Sequence, residues 1–408
     1  MSGDAKRHRF GQSPKLRRCG AGFIDARICV RGPGFARTAA VGNGCNRQSW
    51  KGTYIMNAYD ITQNPEGTKK ELRRISNRNS LMLIGIIAVL NVLGAVLLSL
   101  KFNEDITMML SLGLQFLVVF PIAAILRNLD SRTDTGDKPR NVFVTLTSYF
   151  RKPEQPLPYI LKWTVICMGL CYLANIISML FFLLLESLTG RHLSDTLQSV
   201  LAGSDSTAQR VFVFISVAVL APVFEELLFR GVLLNRTLKY GGWLAVFMSG
   251  LMFAMFHMNY SQLLYAFVLG VVFGYIALKT KSILPVIFAH FFVNLFGALQ
   301  SVFMSQLPPG QLEAAFSNET AAMLESNPSA FMPMLIIGSI QLAVSVGGLF
   351  LFIFEVPIKK NFRIDNPCPQ ISSGKKVLTY LTAPATVVAI VLLVVMTLIN
   401  AGVFVIAN

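Results

Sequence analysis

The chain has 408 residues, of which 53% are hydrophobic and 14% charged, with a mean hydropathy of +0.57. Soluble proteins average about 25% charged residues, so a secreted or cytosolic globular protein is excluded. The net charge of +15 does not indicate nucleic acid: eleven Lys and Arg against two Asp fall in residues 1–55, and no groove-reading helix or aromatic–basic module appears.

Residues 1–79 read as a basic, disordered N-terminal leader. Within it, residues 1–55 are Arg- and Gly-rich and contain no signal-peptide core. They read as an extension that is disordered or not native, lying upstream of a start at Met56; a transit peptide is the other reading of an Arg-rich, acid-poor segment. Nine apolar segments follow, at 80–100, 106–126, 159–185, 211–235, 243–258, 262–278, 283–304, 331–357 and 377–406. Runs of about 20 apolar residues mark membrane helices, because only helices and closed barrels satisfy their backbone within lipid. The fold class is therefore all-α, a polytopic helical membrane protein of eight or nine transmembrane helices, the fifth segment being short. The expected organisation is an N-terminal transmembrane pair with a cytoplasmic loop (80–158), a core (159–304) and a C-terminal transmembrane pair (305–408).

Orientation follows the Lys and Arg asymmetry. Lys69, Lys70, Arg73, Arg74 and Arg78 precede the first span; Arg236 and Lys239 follow the fourth, Lys279 and Lys281 the sixth, and Lys375 and Lys376 precede the ninth. All fall on one side if every segment crosses, whereas 305–330 carries Glu313, Glu319 and Glu325 and no Lys or Arg. This predicts an integral membrane protein with a cytoplasmic N-terminus. Cys167 and Cys171 lie four apart on an apolar helix, as small hydrophobes would, and no paired C-x-x-C motif suggests a thiolate metal site.

The fourth segment contains residues that a passive anchor has no use for: Glu225, Glu226 and Arg230 in an otherwise apolar run. Each ionisable group at bilayer depth costs at least about 2.5 kcal/mol. Glu226 and Arg230 are four apart with the acid first, the favourable order for an intrahelical pair. Glu225 is rotated by about 100° and faces elsewhere. Pro222 removes a backbone hydrogen bond just before the pair and predicts a kink or an opened turn.

Two of the four histidines, His257 and His290, lie in later apolar segments, and His290 shares a helix face with Asn294 at i+4. At about 1.5 Å per residue, Glu225 and His290 fall toward the cytoplasmic side and His257 falls deeper, a mismatch that helix ends or tilt must absorb. A Glu and a His can hold and deprotonate a water, while a His and an Asn can donate to an oxyanion. The same groups suit a metal, since a two-His, one-carboxylate set with an open position is a zinc-hydrolase arrangement. Glu225, His257 and His290 are the candidate ligands, with zinc the candidate ion. Neither H-E-x-x-H nor G-x-S-x-G occurs. The structural readings are a clasp for Glu226–Arg230, an interfacial residue for His257 and an interhelical bridge for His290 with Asn294.

Glu225-Glu226-x-x-x-Arg230, Phe253-x-x-x-His257 and His290-x-x-x-Asn294, in order on three helices, resemble the three motifs of the CAAX-protease and bacteriocin-processing (CPBP, or Abi) intramembrane protease family. The resemblance covers roughly 160–300. It implies an endopeptidase in which Glu225 and His257 activate water, His290 and Asn294 support the oxyanion, and Glu226 and Arg230 organise the site. The family is often labelled metalloprotease, while its eukaryotic prenyl-protein members have been argued to work through glutamate without a tightly held metal. The implied partners are the lipid bilayer and a peptide or membrane-anchored protein substrate, with bacteriocin maturation or self-immunity as a role. The alternative is a non-catalytic scaffold regulating a partner membrane protein such as a histidine kinase; a transporter fits less well. No sequence signal sets an oligomeric state.

Overall fold

The structure is a computed structural model that describes residues 64–135, 150–189, 207–304, 328–358 and 362–400. Every regular element among the described residues is a helix. In chain order they are α1 (Pro65–Ser99), α2 (Glu104–Thr135), α3 (Leu157–Thr189), the long rod α4 (207–238), α5 (Gly242–Phe256), α6 (Tyr260–Thr280), α7 (Leu284–Met304), α8 (Pro328–Glu355), α9 (Ser373–Leu381) and α10 (Pro384–Asn400).

Each of the nine expected segments is mostly helical over its described residues, but they are unequal as membrane spans. Among the described residues six helices are long and apolar enough to cross, and α9 with α10, bent by 71°, makes a seventh if counted as one span. Ile106–Val118 in α2 and Gly242–Phe256 are apolar but shorter. The expected count of eight or nine is therefore approximate. The first helix also begins earlier than expected: Pro65 sits at its first turn and the Asn64 side chain caps the Gly67 N–H at 2.9 Å. Residues 65–79, expected as leader, are its first turns; residues 1–63 and the acidic segment 305–327 lie outside the described residues.

Burial follows the sequence period with an outer face that stays apolar. Helix α1 turns Leu72, Leu83 and Ile86 inward and leaves Leu81, Val92 and Leu98 exposed. In water such a surface would be an aggregation liability; in lipid it is the solvent-facing side. The motif-bearing helices α4 to α7 form the middle of the bundle. Helix α3 packs on α6 and α8, and α1 packs on α2, α9 and α10. Phe229, Phe253, Met252 and Leu233 share one core with Leu72, Leu83 and Ile86, so the first helix buttresses the middle ones.

Small residues set the closest crossings. A Cβ on Gly270 of α6 would lie 2.6 Å from the Cα of Gly250 on α5, and one on Gly348 of α8 would lie 2.0 Å from the Val165 carbonyl oxygen on α3. Helices in lipid associate through such close packing because the surrounding tails are as apolar as the side chains. The α3–α8 contact ends in a Lys162–Glu355 ion pair.

Gly270→Ala should push α5 from α6, because the clash is with backbone that no rotamer change relieves. Overpacking of this kind costs about 1–3 kcal/mol. Thermal unfolding in detergent should show the loss, whereas Gly94→Ala, with nothing within 4 Å of its Cβ, should unfold as the parent does. Equal unfolding of both variants would show that the crossing is looser than described.

Candidate functional site

The rod α4 is not a uniform α-helix. It runs as α-helix over Thr207–Ile215, widens to π-helix over Ser216–Leu220, returns to α over Ala221–Glu226, widens again over Leu227–Leu234 and closes as α over Asn235–Leu238. The first widening has a local cause. Pro222 has no N–H to give, and its ring crowds the carbonyl one turn back, so the expected opened turn takes the form of a π segment just before it. The amide of Asn294, on α7, donates to the Val217 carbonyl within that segment at 2.9 Å.

The second widening begins right after the two glutamates, and side chains occupy its carbonyls. The Asn235 amide donates to the carbonyls of Arg230 (3.0 Å) and Gly231 (2.9 Å), and the Ser249 hydroxyl of α5 donates to that of Phe229 (2.9 Å). Short π segments recur inside helices at functional sites. Here the two of them bracket Glu225 and Glu226.

Glu226 is fully buried, and one of its oxygens carries two bonds. Oε1 accepts from Arg230 Nη1 at 2.8 Å and from His290 Nδ1 at 2.8 Å. An ionised carboxylate only accepts, so His290 Nδ1 bears a proton and points it at Glu226. Arg230 donates its second terminal nitrogen to the Gly270 carbonyl at 3.1 Å, a reach that the Gly250–Gly270 crossing permits. Its guanidinium is flanked by two rings, Phe253 at 4.6 Å and Phe273 at 5.2 Å. A buried cation is thereby paired, hydrogen-bonded and stacked, as burial demands.

Glu225 faces the other way, as its rotation on the helix requires. Its side chain is 26% exposed, and Oε2 lies 3.7 Å from His290 Nε2. That is too long for a hydrogen bond, and Oε2 has no hydrogen-bond partner among the described residues. The imidazole of His290 is thus suspended between two carboxylates, bonded to one and standing off the other. The next ring along, Phe224, stacks on Phe116 of α2 at 4.5 Å, which seats α2 beside the carboxylates.

His257 caps the C-terminus of α5, where Met258 takes a left-handed φ of 49° and ends the helix. That conformation is uncommon for a residue with a side chain and is held in part by Asn400, whose amide donates to the Met258 carbonyl at 3.0 Å. His257 Nδ1 lies 2.8 Å from the Phe253 carbonyl. A carbonyl oxygen can only accept, so Nδ1 is protonated and Nε2 is left with a free lone pair in the neutral ring. The Phe253 ring touches both histidines, with centroids 4.8 Å from His257 and 5.8 Å from His290.

The depth mismatch expected for His257 has a simple resolution. Helix α4 runs on to Leu238 and α5 starts at Gly242, so both are measured from one turn, made possible by Gly241 at φ 154°. Glu225 is then about 20 Å, and His257 about 22 Å, along their helices from that turn at 1.5 Å per residue. His290 is only six residues into α7 yet reaches Glu226, so the α6–α7 turn is set further into the bundle.

Glu225, Glu226, Arg230 and His290 are thus in one cluster. His257 joins them through Phe253, and Asn294 lies one turn beyond His290 with an N–H committed to α4. Sequence reasoning did not find Gly270, Phe273, Asn235 or Ser249. Gly270 had a signal, the Gly270-x-x-x-Gly274 spacing within an apolar run. Asn235, a polar residue five after Arg230, was a weaker one. A catalytic zinc site usually supplies three protein ligands, but among the described residues no three His, Cys, Asp or Glu side chains converge to hold a metal ion. Nδ1 of His290 is bonded to Glu226 and Nδ1 of His257 to backbone, which leaves Nε2 of each ring as the unbonded nitrogen.

Residues 207–296 match the family model described as type II CAAX prenyl endopeptidase Rce1-like. Searches of curated proteins and of solved structures find no match. The matched segment begins at the first residue of α4 and ends two residues past Asn294, so it takes in all three motifs and the whole cluster. Over residues 207–296 the chain is therefore similar to the CAAX prenyl endopeptidase family.

Proposed function

We propose that the cluster hydrolyses a peptide bond by direct attack of water, with Glu225 as general base. The observation that carries this reading is the Glu225 carboxylate itself: it is partly open, and Oε2 has no hydrogen-bond partner among the described residues. Glu226 also leaves its Oε2 without a partner, but it is fully buried and its Oε1 is bonded twice, whereas Glu225 is partly exposed and stands 3.7 Å off its nearest charged contact, open to what enters the site.

Glu225 takes a proton from the water while His257 Nε2 accepts the other water hydrogen and holds the molecule in place. The new oxygen–carbon bond turns the scissile carbonyl into an oxyanion. His290 Nε2 and the second N–H of Asn294 are its donors, and the proton on Glu225 passes to the departing amine. For Nε2 to donate, His290 must carry both ring protons. Glu226 and Arg230 orient the ring and do not touch substrate.

The substrate class is a membrane-associated peptide or protein tail. The wording of the matched family model, a prenyl endopeptidase, supports a lipid-modified C-terminal tail, whose anchor would sit among the exposed apolar helix faces. Maturation of a bacteriocin or immunity to one, in a bacterial cell membrane with a cytoplasmic N-terminus, is the finer form of the same reading. No step needs a metal, in keeping with a donor set that lacks three converging ligands.

Three outcomes test this. Glu225→Gln keeps the shape and removes the base, so cleavage should fall by about 10²- to 10⁴-fold with the protein still accumulating in the membrane. Comparative peptidomics of membranes with parent and variant would read the loss and identify substrates; unchanged products would favour the scaffold alternative. Arg230→Met should act differently, leaving Glu226 buried and unpaired and destabilising the fold by about 3–5 kcal/mol in a thermal unfolding assay. Finally, purified activity should survive a chelator; loss that zinc restores would overturn the metal-free step.

A further inference from the structure

The first turns of α1 carry charge that the cluster does not use. Lys70, Arg73 and Arg74 are exposed there, on the segment that leads into the apolar run starting at Leu81. Arg74 meets Glu71 only at 3.8 Å, and Lys70 and Arg73 have no ion-pair partner among the described residues. Lys375 is exposed at the start of α9, the helix that packs on α1, and lies close enough for its charge to act on Glu66 after that of the nearer, hydrogen-bonded Lys69. These four cations share the surface with two carboxylates, Glu66, which is paired with Lys69, and Glu71, so positive charge predominates.

The position of this surface relative to lipid follows from α1 itself. Leu81 is 59% exposed, as a lipid-facing residue is. At 1.5 Å per residue Arg74 and Arg73 lie about 11–12 Å before it and Lys70 about 16 Å, a range that spans the headgroup layer and the first Debye length beyond it. Helix α9 has the features of an interfacial helix. It is turned 71° from α10, and it exposes Leu378 (63%) one turn from Lys375. A cation and an aliphatic side chain on one exposed helix edge suit the boundary between headgroup and acyl chain.

We propose that this surface, Lys70, Arg73 and Arg74 of α1 with Lys375 of α9, binds the phosphate-bearing headgroups of anionic phospholipids. Clusters of four or more basic residues next to a membrane helix attract such lipids electrostatically. The α1–α9 junction behind the surface is hydrogen-bonded as well as apolar. Ser76 donates to the Tyr380 carbonyl at 2.7 Å, the Asn79 amide donates to the Tyr380 hydroxyl at 3.0 Å, and Arg236 of α4 donates to the Asn79 side-chain oxygen Oδ1 at 3.3 Å. A headgroup drawing α1 and α9 together would therefore also steady the last turn of the rod that carries Glu225.

The test reads lipid and not cleavage, so it stands apart from the proposed reaction. The full chain in neutral detergent is titrated with phosphatidylglycerol or phosphatidylcholine, and bound lipid is counted by native mass spectrometry. Phosphatidylglycerol should be retained preferentially, the preference should shrink as salt rises, and the Lys70→Gln/Arg73→Gln/Arg74→Gln/Lys375→Gln variant should bind it about tenfold more weakly. These side chains face outward, so unfolding of the variant should match the parent; single substitutions, each with a partial loss, serve if it does not. Equal retention of the two lipids, a salt-independent preference, or undiminished binding by the variants would overturn the proposal. So would displacement by inorganic phosphate at the same concentration as the lipid, since the surface would then bind free anions.

Discussion

One oxygen atom organises the interior of this protein. Glu226 Oε1 accepts a bond from Arg230 on its own helix and another from His290 on α7, so an intrahelical pair becomes an interhelical joint. A lone carboxylate, guanidinium or imidazole at this depth would be expelled or neutralised. Joined, they hold three elements in register, because Arg230 continues to the Gly270 carbonyl on α6. The glycine crossing of α5 and α6 lets that guanidinium reach the Gly270 carbonyl, and the rings of Phe253 and Phe273 flank it.

The joint also divides two adjacent acids into different chemical species. Glu226 is closed in and bonded; Glu225, about 100° around the helix, is left with an open oxygen and an imidazole edge 3.7 Å away. Two π segments frame the pair, one caused by Pro222 and one held by Asn235 and Ser249. Helix geometry that is irregular on both sides of a regular six-residue stretch fixes where the two carboxylates point more firmly than an unbroken α-helix would. A site so held needs no reorganisation when charge develops during reaction, which is where electrostatic catalysis gains most.

Much of this was legible in the amino-acid sequence. The apolar runs announced every helix, since lipid leaves the backbone no other choice. The i, i+4 spacing of Glu226 and Arg230 announced their pair, and the position of Pro222 announced the opened turn. Three things were not legible. The second bond of Glu226 joins residues 64 apart in sequence, and spacing rules do not reach that far. Asn294 reads as a free donor, yet one N–H is committed to the Val217 carbonyl, because an opened turn offers a carbonyl that only the fold brings near α7. The depth of Glu225 relative to His257 was not legible because α4 extends past residue 235 to Leu238, carrying Arg236 and Thr237 into a buried polar junction with α1. Hydropathy ends a span at the first charge, whereas the helix ends where its hydrogen bonds do.

The central claim is that Glu226 fixes the orientation and the proton of His290, and with only four histidines in the chain that proton can be observed directly. Nitrogen-15 spectra of histidine-labelled protein, assigned by His290→Gln, should show a proton on His290 Nδ1 shifted far downfield by a carboxylate acceptor, and Glu226→Gln should move it upfield. A His290 ring with Nδ1 bare, or a Nδ1 proton that ignores the loss of the Glu226 charge, would contradict the account.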